Sequence, residues 1–165
     1  MRILIVSNVF HPENFRINDL AFYLSNKGHQ VISFDNSYRN SNQEINSNVQ
    51  LINGDIRDEK YLIEKSKNVD VFLHLAFING TRFFYEKPDL VLEVGLKGAL
   101  NTIEAALDTG IKRYVLASSS ETYNEPTEVP TKENEKLIIP DILNPRFSYG
   151  GGKIASELLA LHFGA

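Results

Sequence analysis

The sequence predicts an α/β fold, a doubly wound parallel sheet of about five strands with helices on both faces. Three observations predict it. Short apolar runs alternate with longer stretches of helical period. Most of the runs are near-continuously apolar, as strands covered on both faces are. Glycines stand where the helical stretches should end, at Gly28 and Gly110.

The first run, 2–6, is a buried strand: it is apolar but stops at Ser7-Asn8, far short of the ~20 residues that span a bilayer, and no cleavage pattern follows it. Ile17, Leu20, Ala21 and Leu24 then fall at i, i+3, i+4 and i+7, predicting the first crossover helix, closed by Gly28. Runs 30–34 and 49–53 are the second and third strands, separated by the polar, asparagine-rich stretch 36–48, read as an exposed loop. The fourth strand is 69–75. A helix over 88–109 follows, opened by Pro88, with Val91, Val94, Gly98, Thr102 and Ala105 on one stripe whose small residues permit close approach to the sheet. The fifth strand is 113–117, and 124–145, with four prolines, is a long irregular connection. The strand order expected for this fold is 3-2-1-4-5. No internal repeat or linker divides the chain, so residues 1–165 are read as a single domain.

Composition excludes several classes. A hydrophobic share of 42% with 23% charge is ordinary for a globular chain, and neither disorder nor a membrane protein is suggested. A net charge of −4 argues against nucleic acid as a partner, which calls for a basic face. With no cysteine there is no disulfide framework, no thiolate chemistry and no Cys-built metal site, which suits a cytoplasmic setting. No metal site is expected.

The strongest chemical signal is Tyr149-Gly150-Gly151-Gly152-Lys153, leading into Ile154, Leu158 and Leu161 at helical spacing. At i and i+4, Tyr149 and Lys153 share a helical face. The ammonium can then stabilise a phenolate and grip a cofactor ribose while the phenol exchanges a proton with substrate. Alone, such a pair is common by chance. Upstream, at the end of the fifth run, stands Ser118-Ser119-Ser120-Glu121-Thr122-Tyr123. Ligands of open parallel sheets bind at that end of the strands, although serines there also serve simply to end a strand and begin a turn.

These two segments, with Asn144-Pro145-Arg146-Phe147-Ser148 between them, resemble the active-site signature of the extended short-chain dehydrogenase/reductases, the NAD-dependent epimerase/dehydratase group, whose fold is Rossmann-like. Gly54-Asp55-Ile56-Arg57-Asp58 is similar to the family's third-strand exit, where the Asp-Ile pair lies by the adenine ring. His74-Leu75-Ala76 is similar to the fourth-strand exit beside the cofactor's phosphates and ribose. Asp35 matches the acidic residue on the adenosine ribose that favours NAD over NADP. The resemblance spans about 30–163. It implies Tyr149 as general acid/base, Lys153 as the residue that lowers its pKa and holds the nicotinamide ribose, and Ser119 as hydroxyl partner of the reacting oxygen. Ser119 is singled out by its spacing from Tyr123. Glu121 sits where some relatives have a catalytic glutamate; a solvated or structural carboxylate is an equal reading. The implied cofactor is NAD, and the implied partners are a nucleotide sugar and a second copy of the chain in a homodimer.

Three departures stand out. No glycine precedes Gly28, so the glycine-rich turn that brings backbone amides to a pyrophosphate is missing, and Glu13 would add a like charge there. Residues 1–29, with Pro12-Glu13-Asn14-Phe15-Arg16-Ile17-Asn18-Asp19-Leu20, instead resemble the start of a bacterial nucleotide-sugar glycosyltransferase, as a splice between two families would produce. Gly95 also stands where many relatives have asparagine. The chain is expected to lack the C-terminal lobe that binds the sugar nucleotide, leaving the fifth strand as an exposed edge. Three functions follow: an NAD-dependent nucleotide-sugar epimerase or dehydratase in truncated, inactive form; a glycosyltransferase fragment; and a non-catalytic remnant.

Overall fold

The computed structural model describes residues 1–7, 16–38 and 48–163, the side chain of Arg16 excepted. The segment 8–15, where the missing phosphate turn and Glu13 fall, and most of the asparagine-rich stretch, 39–47, lie outside the described residues.

Five strands form one parallel sheet in the order β3-β2-β1-β4-β5: β1 (Arg2–Val6), β2 (Gln30–Asp35), β3 (Val49–Asn53), β4 (Val71–His74) and β5 (Arg113–Leu116). This is the predicted Rossmann-like order. The strand period of two sorts β1 between two cores: Leu4 and Val6 face one with Ile32, Phe34 and Phe72, whereas Ile3 and Ile5 face the other with Val31 and Val49. Burial on both faces is why the run carries no polar alternation.

Helix α1 (Arg16–Asn26) covers the second core through Ala21, Ile17 and Leu24 and ends at Gly28, whose φ of +83° needs a residue without a Cβ. Leu20, predicted on the same stripe, is instead exposed. Three helical segments run almost without break over the predicted 88–109: α4 (Pro88–Leu92), a π-helical turn (Glu93–Lys97) and α5 (Gly98–Asp108), closed by Gly110 at φ +69°. Val91, Val94, Gly98, Thr102 and Ala105 are all buried as the stripe required. A Cβ on Gly98 would stand 2.1 Å from the Ile56 side chain, so the close approach read from its small size is real.

The fourth strand begins later than the predicted 69–75, because Asn68 takes a positive φ of 60° and Val69 donates its N–H back to Ser66 O at 3.3 Å. Helix α2 (Glu59–Ser66) has no counterpart among the predicted elements: Asp58 caps it by accepting from Tyr61 N, but only Leu62 and Ser66 are buried, too few to show a period. A short helix, α3 (Thr81–Glu86), precedes α4. Helix α6 (Ser148–Phe163) forms as predicted, but its buried face is Tyr149, Gly150, Gly152, Lys153 and Ser156, while Leu158 and Leu161 are exposed. Among the described residues β5 bonds a neighbour on one side only. No described helix is long and apolar enough to cross a membrane, and no described cluster of His, Asp and Glu could hold a metal.

Candidate functional site

Because the strands are parallel, their carboxyl ends share one edge, and Asp35, Asp55, Ala76 and Ala117 all leave the sheet there. Past β5 the chain stays extended to Ser119, whose Oγ accepts from Glu121 N at 3.2 Å and caps a 3-10 turn over Ser120–Thr122. The start of α6 is set by another capped turn, Pro145–Phe147, with Asn144 Oδ1 accepting from Arg146 N at 3.0 Å. These two turns bring Tyr149, in the first turn of α6, to Ser119.

Tyr149 is buried. Its ring stacks on Phe84 at 5.3 Å and meets Phe77 edge-on at 5.1 Å. Burial raises the pKa of its phenol, the Ser119 hydroxyl bonded to it opposes that, and the Glu121 charge adds to it. One turn on, Lys153 is 2% exposed and donates from Nζ to Ala117 O at 2.6 Å. Its ammonium lies 4.6 Å from the centre of the Phe77 ring and 5.9 Å from that of Tyr149. Burial lowers its pKa to about 8 against the raising effect of Glu157. Near neutral pH the lysine is therefore charged, 5.9 Å from the centre of the phenol ring; a cation there favours the phenolate, but in this arrangement burial prevails and the phenol's pKa lies above its ordinary value, not below it as the resemblance implies. Behind the pair His74 is fully buried, with its pKa brought down to about 3 by burial and by the Lys153 charge. It is neutral in the working range and bonds Thr102 Oγ1 through Nδ1 at 2.9 Å.

Glu121 is paired while staying part-exposed: its Oε2 accepts from Arg146 Nη1 at 2.8 Å, and the Arg146 guanidinium lies over Phe84 at 5.0 Å. Arg146 and the aromatic residues Phe77 and Phe84 were not singled out from the sequence. Arg146 lies inside the signature segment and could have been; the aromatics carry no local signal, since an apolar residue after a strand is ordinarily core.

The other candidates gather at the β2–β3 end. Asp35 is buried and accepts from Ser7 Oγ at 3.1 Å and Ser37 N at 2.8 Å. Asp55 accepts from Arg57 Nη2 at 2.7 Å, Nε at 3.0 Å and N at 2.9 Å, and from Asn36 Nδ2 at 3.1 Å. The Arg57 side chain, with Asn36 helping, outweighs burial and brings its pKa down to about 2. Arg57 also bridges to Glu93 at 2.9 Å. Ile56 turns its side chain into the core, and its carbonyl accepts from Asn101 Nδ2 at 2.8 Å. Asn36, Tyr38, Arg57, Ile78, Phe83 and Val94 line a mostly apolar cleft beside them. The predicted loop therefore contributes Asn36 and Tyr38 to this end. Leu75 and Ala76 part ways: Ala76 joins the core under Tyr149, and Leu75 is packed on the α1 side.

Gly95 has a physical reason. A Cβ there would lie 2.1 Å from the Phe77 ring, so the space an asparagine would need is already filled.

The family described as "NAD dependent epimerase/dehydratase family" matches residues 18–165. The match takes in most of α1, so the family's share of the chain begins earlier than the residue-30 boundary of the resemblance. A UDP-N-acetyl-alpha-D-glucosaminuronate decarboxylase of Bacillus cytotoxicus is 32% identical over 147 residues, 87% of this chain and 45% of that protein. A UDP-glucose 4-epimerase of Lacticaseibacillus casei is 27% identical over 79% of this chain and 38% of its own length. Among solved structures, a UDP-galactose 4-epimerase superposes with a TM-score of 0.82 at 26% identity, over 99% of this chain and 53% of that one. MoeE5 in complex with UDP-glucose and NAD gives 0.80 at 26%, over 100% and 50%. The chain thus spans about half the length of the relatives it matches. With fold, strand order and family match in agreement, the chain belongs to the NAD dependent epimerase/dehydratase family.

Proposed function

We propose that this chain is the NAD-binding half of an enzyme that oxidises a hydroxyl of a nucleotide sugar and then epimerises, dehydrates or decarboxylates the keto sugar. The observation that carries this reading is the convergence of Tyr149, Lys153 and Ser119 at the carboxyl edge of the sheet, with a charged lysine beside a buried phenol. Tyr149 takes the proton from the sugar hydroxyl as it is oxidised and returns it on reduction. Lys153 stabilises the phenolate that takes this proton, and Ser119 donates to the reacting oxygen. Glu121, held by Arg146, is the carboxyl-bearing candidate at the same site.

The residues present fit a dinucleotide at its two ends: Asp35 and Asp55 carry carboxylates toward one edge beside an apolar cleft, and the Tyr149–Lys153 pair lies along the same edge. Asp35 would hold the adenosine ribose, Asp55 and Ile56 the adenine, Leu75 and Ala76 the stretch between, and Lys153 and Tyr149 the nicotinamide ribose. When bound, NAD supplies the hydride acceptor. The same reading takes the enzyme to be cytoplasmic, a setting with which a cysteine-free chain is compatible.

Calorimetric titration tests the binding half of the reading. NAD should bind more weakly than micromolar, since the segment after β1 offers no glycine and each lost charge-assisted amide contact costs about 1.5–3 kcal/mol. Asp35→Ala should weaken it further. Binding of a nucleotide sugar alone would favour a glycosyltransferase, and binding of neither a non-catalytic chain. Catalysis is tested in a fusion that supplies a glycine-rich turn and the C-terminal half of a relative: Tyr149→Phe should lower turnover ~100-fold or more.

A further inference from the structure

The space that Phe77 fills is made by two glycines from different elements. A Cβ on Gly95, in the π-helical turn, would lie 2.1 Å from the ring, and one on Gly152, in α6, 2.8 Å from it. The ring is 3% exposed and touches both members of the acid/base pair: it meets Tyr149 edge-on at 82°, and the Lys153 ammonium stands over its face. An aromatic face attracts a cation, and an apolar wall excludes water from it. Lys153 has no ion-pair partner within salt-bridge distance among the described residues; the ring face and the Ala117 carbonyl are its near partners, and the Glu157 charge acts from farther off.

We propose that Phe77 is a positioning residue for the Tyr149–Lys153 pair: its ring walls the ammonium off from water and clamps the phenol against Phe84, so that the lysine's charge acts on the tyrosine through a dry gap. This rests on the reading of Tyr149 and Lys153 as the acid/base pair. Phe77 sits behind the reacting groups and acts through them, and a consequence is a lysine that loses its proton nearer neutrality than usual, at about 8. The other titratable groups facing Lys153 are Glu157 on α6, which favours its charge, Tyr149 on the same helix, and neutral His74 on β4.

The test is an NMR titration of the lysine side-chain resonances in the 165-residue chain, with Lys153 assigned by its loss in Lys153→Met. Phe77→Ala opens the wall and admits water, so Lys153 should titrate higher, by roughly one pH unit, toward the ordinary lysine value. Phe77→Leu keeps apolar bulk but loses the ring face that favours the cation, so Lys153 should titrate lower, by roughly half a unit. A purely structural role predicts no such opposed movement. An unmoved Lys153 in Phe77→Ala, or movement in the same direction in both variants, overturns the proposal. If Phe77→Ala fails to fold, Phe77→Leu decides: a lower titration upholds the proposal, and an unchanged or higher one overturns it. The outcome is separable from the reading it rests on, because retention of turnover by the Tyr149→Phe fusion would sink that reading whatever Lys153 does.

Discussion

At the β4–β5 end of the carboxyl edge, Lys153 is buried among aromatic rings and a backbone carbonyl. At the β2–β3 end, Asp55 is surrounded by donors from Arg57 and Asn36 and remains partly exposed. The two ends stabilise charge in opposite ways. Lysine, whose pKa moves readily on burial, is left without a carboxylate partner and drops to about 8. Asp55 is given a fork of guanidinium bonds and drops to about 2, with Arg57 raised in return. The first arrangement leaves the lysine able to change protonation at about pH 8; the second is locked in one state from acid to alkaline pH. A charge held by rings and a single carbonyl is left free to titrate, and a charge held by a fork of hydrogen bonds is fixed.

Three substitutions would break or sharpen that contrast. The largest effect is expected at the dry end. Gly95→Ala drives a Cβ into the Phe77 ring and should cost about 1–3 kcal/mol of stability, the usual scale of overpacking. In a double-mutant cycle with Phe77→Leu, part of that cost should vanish; strict additivity in denaturant melts would show that ring and glycine do not share the space.

Lys153→Met comes next. The native lysine titrates near 8, below the ordinary value of 10.5, so between those values the unfolded chain binds more protons than the native one and stability gains with rising pH from this group. Removing the lysine should flatten that rise. Melting temperatures across pH 8 to 10.5 check it, and an unchanged slope would mean that Lys153 is more open to water than its surroundings indicate.

The smallest effect is at the paired end. Asp55, with its pKa lowered to about 2, contributes stability present above the ordinary carboxylate value of 3.8 and lost as pH falls through about 2. Because solvent screens a partly exposed pair, Asp55→Asn should cost no more than about 1 kcal/mol at neutral pH and reduce acid sensitivity below 3.8. A larger loss would place Asp55 in a more buried network than its side-chain exposure allows.

Much of the fold was legible because its signals are local. The strands at 2–6 and 49–53 match their predicted limits, and Pro88 and Gly110 bound the long helical stretch as expected. Where the reading slipped, a nearby competitor decided. Asn68 turned the start of the fourth strand into a tight turn, and α2 buried too few residues to reveal a period. On α6 the apolar residues at 158 and 161 suggested the buried face, yet the glycines and Lys153 are the ones turned inward. Gly150 lies under the Glu121 carbonyl, where a Cβ would stand at 3.1 Å, so small size rather than hydrophobicity selected that face.

By itself the sequence determined what depends on spacing along the chain: five strands, most of them near-continuously apolar, a crossover helix ending at Gly28, and Tyr149 and Lys153 on one face of a helix. Tertiary structure alone decided what depends on residues far apart meeting: Phe77 filling the gap left by Gly95 and Gly152, Glu121 paired with Arg146, and Asp55 tied to Arg57 and Asn36. The physical reason is range. Periodicity and capping act within a few residues and are written in the local order of side chains, whereas packing volume and the screening of charge depend on the whole neighbourhood, which exists only once the chain has closed on itself.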